Sequence, residues 1–137
     1  MRKVIFSILG LCLFTLVSCQ KDDIPEATTQ AKLLGRWKID RIIEEYYKPV
    51  NTLLDTEETP GRDGDAVEFK SNGVVYVYSE IDGDDETTYE VLNDTTVKIE
   101  DEIYKIRKLT PTELNLYQEW EEPGMNEKFI QRIYFVK

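Results

Sequence analysis

The sequence predicts an all-β domain, a small eight-stranded antiparallel up-and-down barrel. From Leu33 onward the chain is a series of short runs rich in Val, Ile, Tyr and Phe, separated by Gly, Asn, Asp and Pro. That alternation is the strand-and-turn pattern. No long stretch carries helical periodicity. The turns are mostly short, so strands adjacent in sequence are expected to be antiparallel neighbours in space. Closing them on themselves removes the open edges that invite aggregation. An open two-sheet sandwich is the alternative architecture.

The first element lies outside that domain. Arg2 and Lys3 precede an apolar run from Val4 to Val17, and a small residue, Ser18, follows it. This is the layout of a secretory signal. The run of about 14 residues is short of the roughly 20 that span a bilayer, and Ser7, Gly10 and Thr15 interrupt it. The tetrapeptide Leu16-Val17-Ser18-Cys19 resembles the lipobox of bacterial lipoproteins. The resemblance implies cleavage before Cys19, diacylglycerol on its thiol, and acylation of the new amino group by a fatty acid such as palmitate. Two or three acyl chains on one residue anchor a protein stably, at about 0.8 kcal/mol per buried methylene. Gln20-Lys21-Asp22-Asp23 is similar to the signal that places some lipoproteins on the outer face of the outer membrane. The periplasmic face, with a merely solvated charged tether, is the alternative. The expected organisation is a signal over 1–18, lipidated Cys19 with a flexible linker over 19–32, and the barrel over 33–137. Fully extended, the linker from Gln20 to Lys32 reaches at most about 45 Å.

The strands follow. Leu34 to Tyr46 sets Trp37 and Ile39 on one face against Lys38 and Asp40, and the alternation breaks near Ile42-Ile43, which predicts a bulge or bend. Lys48–Asp65 is polar and holds Pro49, Pro60, Gly61 and Gly64; it reads as a long loop, with a helical turn at Leu53-Leu54 covering something beneath it. Ala66–Phe69 turns at Ser71-Asn72-Gly73, a hairpin composition, into Val74–Ile81. Then come Thr87–Leu92, Thr95–Glu100, Ile103–Leu109, Leu114–Trp120 and Lys128–Val136, joined by short polar turns.

Composition excludes several chemistries. The formal charge is −10, and about −12 once Arg2 and Lys3 leave with the signal. Such a surface repels phosphate backbones, so no nucleic acid partner is expected. The two cysteines are Cys12, within the signal, and Cys19, and there is no histidine. A disulfide, a catalytic thiol, His-activated nucleophiles and His metal ligands are thereby absent from the domain. An ordinary hydrophobic core must stabilise it, and about 105 residues suffice for one.

Gly35-Arg36-Trp37 is similar to the G-x-W signature of lipocalins. The resemblance extends from Leu33 to Lys137 through the order of lipobox, linker, L-x-G-x-W, hairpin-linked strands, Leu109-Thr110-Pro111-Thr112-Glu113-Leu114 and an aromatic-rich final strand. It implies that Gly35 lets the chain approach closely at the barrel floor, that Trp37 plugs the closed end, and that Arg132 packs across the indole. A cation over a tryptophan face contributes about 0.5–2 kcal/mol. The domain departs from many lipocalins in lacking a disulfide, a C-terminal helix and an evident second family motif. Fold therefore transfers more readily than function.

Aromatic residues are the candidate ligand lining. Tyr76 and Tyr78 share one strand face and Val75 and Val77 the other. Should the tyrosine face point inward, Tyr76, Tyr78, Tyr89, Tyr104, Tyr117 and Trp120 line a pocket for a small apolar or amphipathic molecule or a glycan fragment. Should it point outward, the tyrosines are cross-strand packing. Asp82-Gly83-Asp84-Asp85-Glu86 clusters oxygen ligands as calcium requires, without the spacing of an EF-hand, and reads as a solvated turn. Glu119, Glu121 and Glu122 beside Trp120 are the carboxylates best placed for glycoside chemistry, but 27 acidic residues produce such neighbours by chance. Neither a catalytic residue, a metal nor a cofactor is assigned. Two functions remain: a lipid-anchored envelope protein that binds a small ligand in its barrel, or a filled barrel whose loops contact another envelope protein.

Overall fold

The computed structural model describes residues 27–137. The chain enters through a single helical turn, α1 (Thr29–Leu33), whose N-terminus is capped by the Thr28 hydroxyl accepting from the Ala31 amide at 3.2 Å. The stretch expected as linker thus ends in ordered structure, and Leu33 is fully buried. Nine antiparallel strands follow: β1 (Gly35–Tyr47), β2 (Leu53–Pro60), β3 (Ala66–Phe69), β4 (Val74–Tyr78), β5 (Asp85–Asn93), β6 (Thr96–Ile99), β7 (Glu102–Leu109), β8 (Glu113–Glu122) and β9 (Glu127–Val136). They form one sheet in the order β2-β1-β3-β4-β5-β6-β7-β8-β9, and β9 returns to pair with β1. Eight strands, all but β2, therefore close an up-and-down barrel.

β1 is the seam. Along one edge it pairs with β9 from Lys38 to Tyr47. Its other edge is shared: Gly35–Lys38 pair with β3, and Arg41–Tyr47 pair with β2. The register shift on β1 falls between Ile39 and Arg41, at Asp40, slightly before the Ile42-Ile43 break that the alternation predicts. The extra residue lets Trp37, Ile39 and then Ile42 keep to one face.

Eight of the 18 residues of the expected loop over Lys48–Asp65 form a strand, β2. β2 escapes the sequence pattern because all eight of its residues are exposed, so no apolar alternation marks it. Its chain reaches β3 through Gly61, whose amide donates to the Asp40 carbonyl at 2.8 Å. A Cβ there would lie 1.9 Å from the Ile39 carbonyl oxygen, so only glycine fits. Leu53 and Leu54 open β2 and cover nothing, being 50% and 57% exposed.

Register fixes the inward face. Trp37 opposes Val67, Val67 opposes Val77, and Phe69 opposes Val75. Tyr89, Val97, Leu114, Leu116 and Phe135 complete the buried cluster, with Leu33 packed in from α1. The barrel interior is thus filled by its own side chains. The Trp37 Nε1 donates to the Leu33 carbonyl at 2.7 Å, so the largest buried ring also satisfies its polar atom.

Candidate functional site

The valine face of β4 points into the core and the tyrosine face points out. Tyr78 donates to Glu68 at 3.0 Å and carries the Arg36 guanidinium 4.2 Å above its ring. Tyr76 lies on the same outer face, opposite Glu68 and beside Lys70. Tyr117 is outward as well, between Arg107 at 4.4 Å and Arg132 at 5.9 Å. Tyr89 and Tyr104 do face inward, but as core: Tyr89 meets Phe69 edge-on at 4.9 Å and donates to the Lys70 carbonyl at 2.7 Å. The tyrosines singled out in the sequence therefore do not converge on one pocket. Valine fills the tapering interior more compactly than tyrosine, which leaves the larger rings for cross-strand packing outside.

The G-x-W motif is also arranged differently from the expectation. Lys137, not Arg132, lies across the indole, with its Nζ 4.0 Å from the Trp37 ring centroid and donating to the Leu34 carbonyl at 2.9 Å. Arg132 lies on the outward face of β9 and binds Glu45 of β1 through two hydrogen bonds. Gly35 serves backbone conformation more than close approach. Its φ is +102°, and a Cβ there would meet only the end of the Lys137 side chain at ordinary contact distance.

Trp120 belongs to a different constellation. β1, β9 and β8 run past the short strands of the barrel, and their register sets Tyr46 opposite Phe129 and Phe129 opposite Trp120. The rings form a row: Tyr46 to Phe129 at 5.0 Å, and Phe129 to Trp120 at 5.3 Å with an interplanar angle of 13°. β2 adds carboxylates to that face, since Glu57 opposes Glu44 and Asp55 opposes Tyr46. Together Glu44, Tyr46, Asp55, Glu57, Trp120 and Phe129 line most of an open cleft of about 220 Å³.

Electrostatics hold the cleft in shape. Glu44 accepts from the Gln131 amide at 3.0 Å. At the far end Lys48 meets Glu127 at 2.6 Å, which keeps the Glu127 carboxyl below its ordinary range. Partial burial, and then a hydrogen bond to Glu127, raise the Tyr46 hydroxyl. The aromatic row offers flat apolar area and the carboxylates offer acceptors, so the cleft suits a cationic or hydroxyl-rich group.

Sequence reasoning found Trp120 and missed Tyr46, Phe129, Glu44, Asp55 and Glu57. The pairing of Trp120 with Phe129 depends on the size of the hairpin loop: a two-residue turn at Pro123-Gly124 would set residue 120 opposite 127, whereas the four-residue loop over 123–126 sets it opposite 129. The β2 carboxylates had no signal, because their strand was hidden. Of the carboxylates near Trp120, Glu119 and Glu121 lie on the opposite face of β8 by alternation, and Glu119 accepts from the Tyr117 hydroxyl instead. Among the described residues no group of three or more acidic or thiol side chains is arranged to hold a metal, residues 82–86 included. No helix among them is long and apolar enough to cross a membrane. Cys19 and the signal lie outside the described residues.

No family model matches the chain, and no curated protein matches it. The closed eight-stranded barrel is consistent in general form with a lipocalin-like fold.

Proposed function

We propose that the chain is a lipid-anchored protein of the cell envelope, tethered through Cys19 at the outer membrane and facing the cell exterior. In this reading it recognises an envelope partner at the open end of its barrel, above the filled core, and encloses no ligand. The filled interior carries this reading: Trp37, Phe69, Val75, Val97, Leu114 and Leu116 are essentially without solvent contact and occupy the space that a carried molecule would need. The recognition surface is the cleft at the projecting end of β1, β2, β8 and β9. Trp120, 40% exposed, offers there a large ring that the fold does not bury. The entry of the chain at the Trp37 end supports a polarity in which the tether holds one end of the barrel and the cleft faces away from it.

A native mass spectrum of the protein extracted from its own envelope tests this. A bare protein mass, unchanged after exposure to lipid mixtures, is the expected result. A stoichiometric small molecule retained in the folded chain would overturn the filled-barrel reading.

The stacked Trp120–Phe129 platform favours one second reading, a glycan fragment lying on the rings. Titration of Trp120 fluorescence with envelope oligosaccharides distinguishes it, since a saturable change with sugar alone would make the ligand small.

A further inference from the structure

β2 is paired along one edge only. Residues Arg41–Tyr47 of β1 occupy that edge, and no strand among the described residues meets the other. The open edge is not left over from incomplete closure, because the barrel closes through β1 with β3 and β1 with β9. It exists because β2 continues past the barrel on the far side of Gly61. Eight exposed residues at about 3.4 Å each make an open ladder of about 27 Å. An edge of that length is a template for another strand.

Its side chains select what can pair. Asp55, Glu57 and Glu58 place three negative charges on eight residues with no cation among them, and Pro60 removes one amide donor. A second copy of the chain would set carboxylate against carboxylate, which opposes self-pairing. A segment of opposite charge meets no such penalty. Asp55 and Glu57 are two residues apart and so share a face. That face also holds Glu44, directly opposite Glu57, and the aromatic cleft. Glu58 lies on the other face, near Arg41 at 3.8 Å. An added strand whose alternate residues are cationic would therefore line up with the acidic face of β2 and neutralise the Glu44–Glu57 repulsion.

We propose that the open edge of β2 docks an extended, lysine- or arginine-bearing segment of a partner protein, which adds as a tenth strand with its cations against Asp55 and Glu57. This rests on the interaction-protein reading and specifies the partner's chemistry.

The test uses the full chain in detergent and three synthetic octapeptides: one alternating lysine with threonine, the same peptide with alternate backbone nitrogens methylated, and one alternating glutamate with threonine. The lysine peptide is expected to bind and to slow hydrogen exchange at residues 53–60. Methylation, or Asp55→Lys with Glu57→Lys, is expected to weaken it by about tenfold or more, a change of about 1.4 kcal/mol. Both substituted positions are exposed, and should the variant misfold, the methylated peptide on the native chain still decides. Equal binding of the methylated and unmethylated lysine peptides would reduce the contact to charge alone and overturn strand addition. So would protection elsewhere, equal binding of the glutamate peptide, or no binding at about 1 mM. Protection of 53–60 that rises with protein concentration and no peptide would assign the edge to a second copy. A bare chain in the native mass spectrum that ignores all three peptides defeats this proposal alone; an enclosed small molecule defeats the broader reading.

Discussion

Arg132 on β9 grips Glu45 on β1 through Nη1 to Oε1 at 2.6 Å and Nη2 to Oε2 at 3.2 Å, while the Tyr47 hydroxyl donates to the same carboxylate at 2.8 Å. The pair ties the seam strand to the last strand outside the core. The Arg132 hydrogen bond, opposed by partial burial and helped by Tyr47, holds the Glu45 carboxyl below its ordinary value of 4.5. A carboxyl lowered on folding stabilises the native state above its unfolded value, and that contribution fades as pH falls through the native one. Thermal melts are therefore expected to show a stability advantage of the native chain over Glu45→Gln of about 1 kcal/mol at pH 7, disappearing at pH values beneath the lowered carboxyl range. A difference that persists unchanged into acid would contradict the ionic character of the contact.

Trp37→Ala is expected to cost about 3–5 kcal/mol, as loss of a large buried aromatic does. Denaturant unfolding measures it. A midpoint unchanged by the substitution would mean that the ring is not the plug of its end of the barrel.

Gly61→Ala tests the departure of β2 from the barrel. The new methyl would overlap the Ile39 backbone, which cannot swing aside as a side-chain tip can. The expected loss is about 1–3 kcal/mol. Faster hydrogen exchange should concentrate in 53–60 and 41–47, where the β1–β2 ribbon is registered.

The two tryptophans differ in access, Trp37 being fully buried and Trp120 40% exposed. Acrylamide is expected to quench one emission component and spare the other, and Trp120→Phe should remove the accessible one. The same substitution is expected to leave stability within about 1 kcal/mol, because the stacking on Phe129 is largely retained.

Cys19→Ser is expected to leave the melting curve of the domain unchanged and to release the protein from the membrane fraction. Retention in that fraction would refute the anchor read from Leu16-Val17-Ser18-Cys19.

The barrel was legible because Val, Ile and Phe recur between turn residues from Ala66 onward, and short turns leave few ways to order strands. β2 was not, since Leu53–Pro60 is solvated on both faces and reads as loop. α1 was too short for any periodicity to declare it. Which face of β4 points inward was undetermined by composition, valine and tyrosine being equally at home in strands. Only the long-range pairing of Val67 with Trp37 on one side and Val77 on the other settles it. The same holds for the cleft. Its residues come from four strands, and nothing local to any of them marks the convergence.

β1, flanked on both edges along most of its length, has a mechanical meaning. The chain enters at its Gly35 end, and β2 hangs on its Tyr47 half. A pull applied between the start of the chain and β2 runs along the axis of β1, so its ladders to β9 and to its other neighbours resist in shear and share the force. The hairpin of β8 and β9 would instead be peeled rung by rung if its open ends, at Glu113 and Val136, were drawn apart. A molecule tugged from its tether would thus keep its seam intact until many cross-strand bonds failed together.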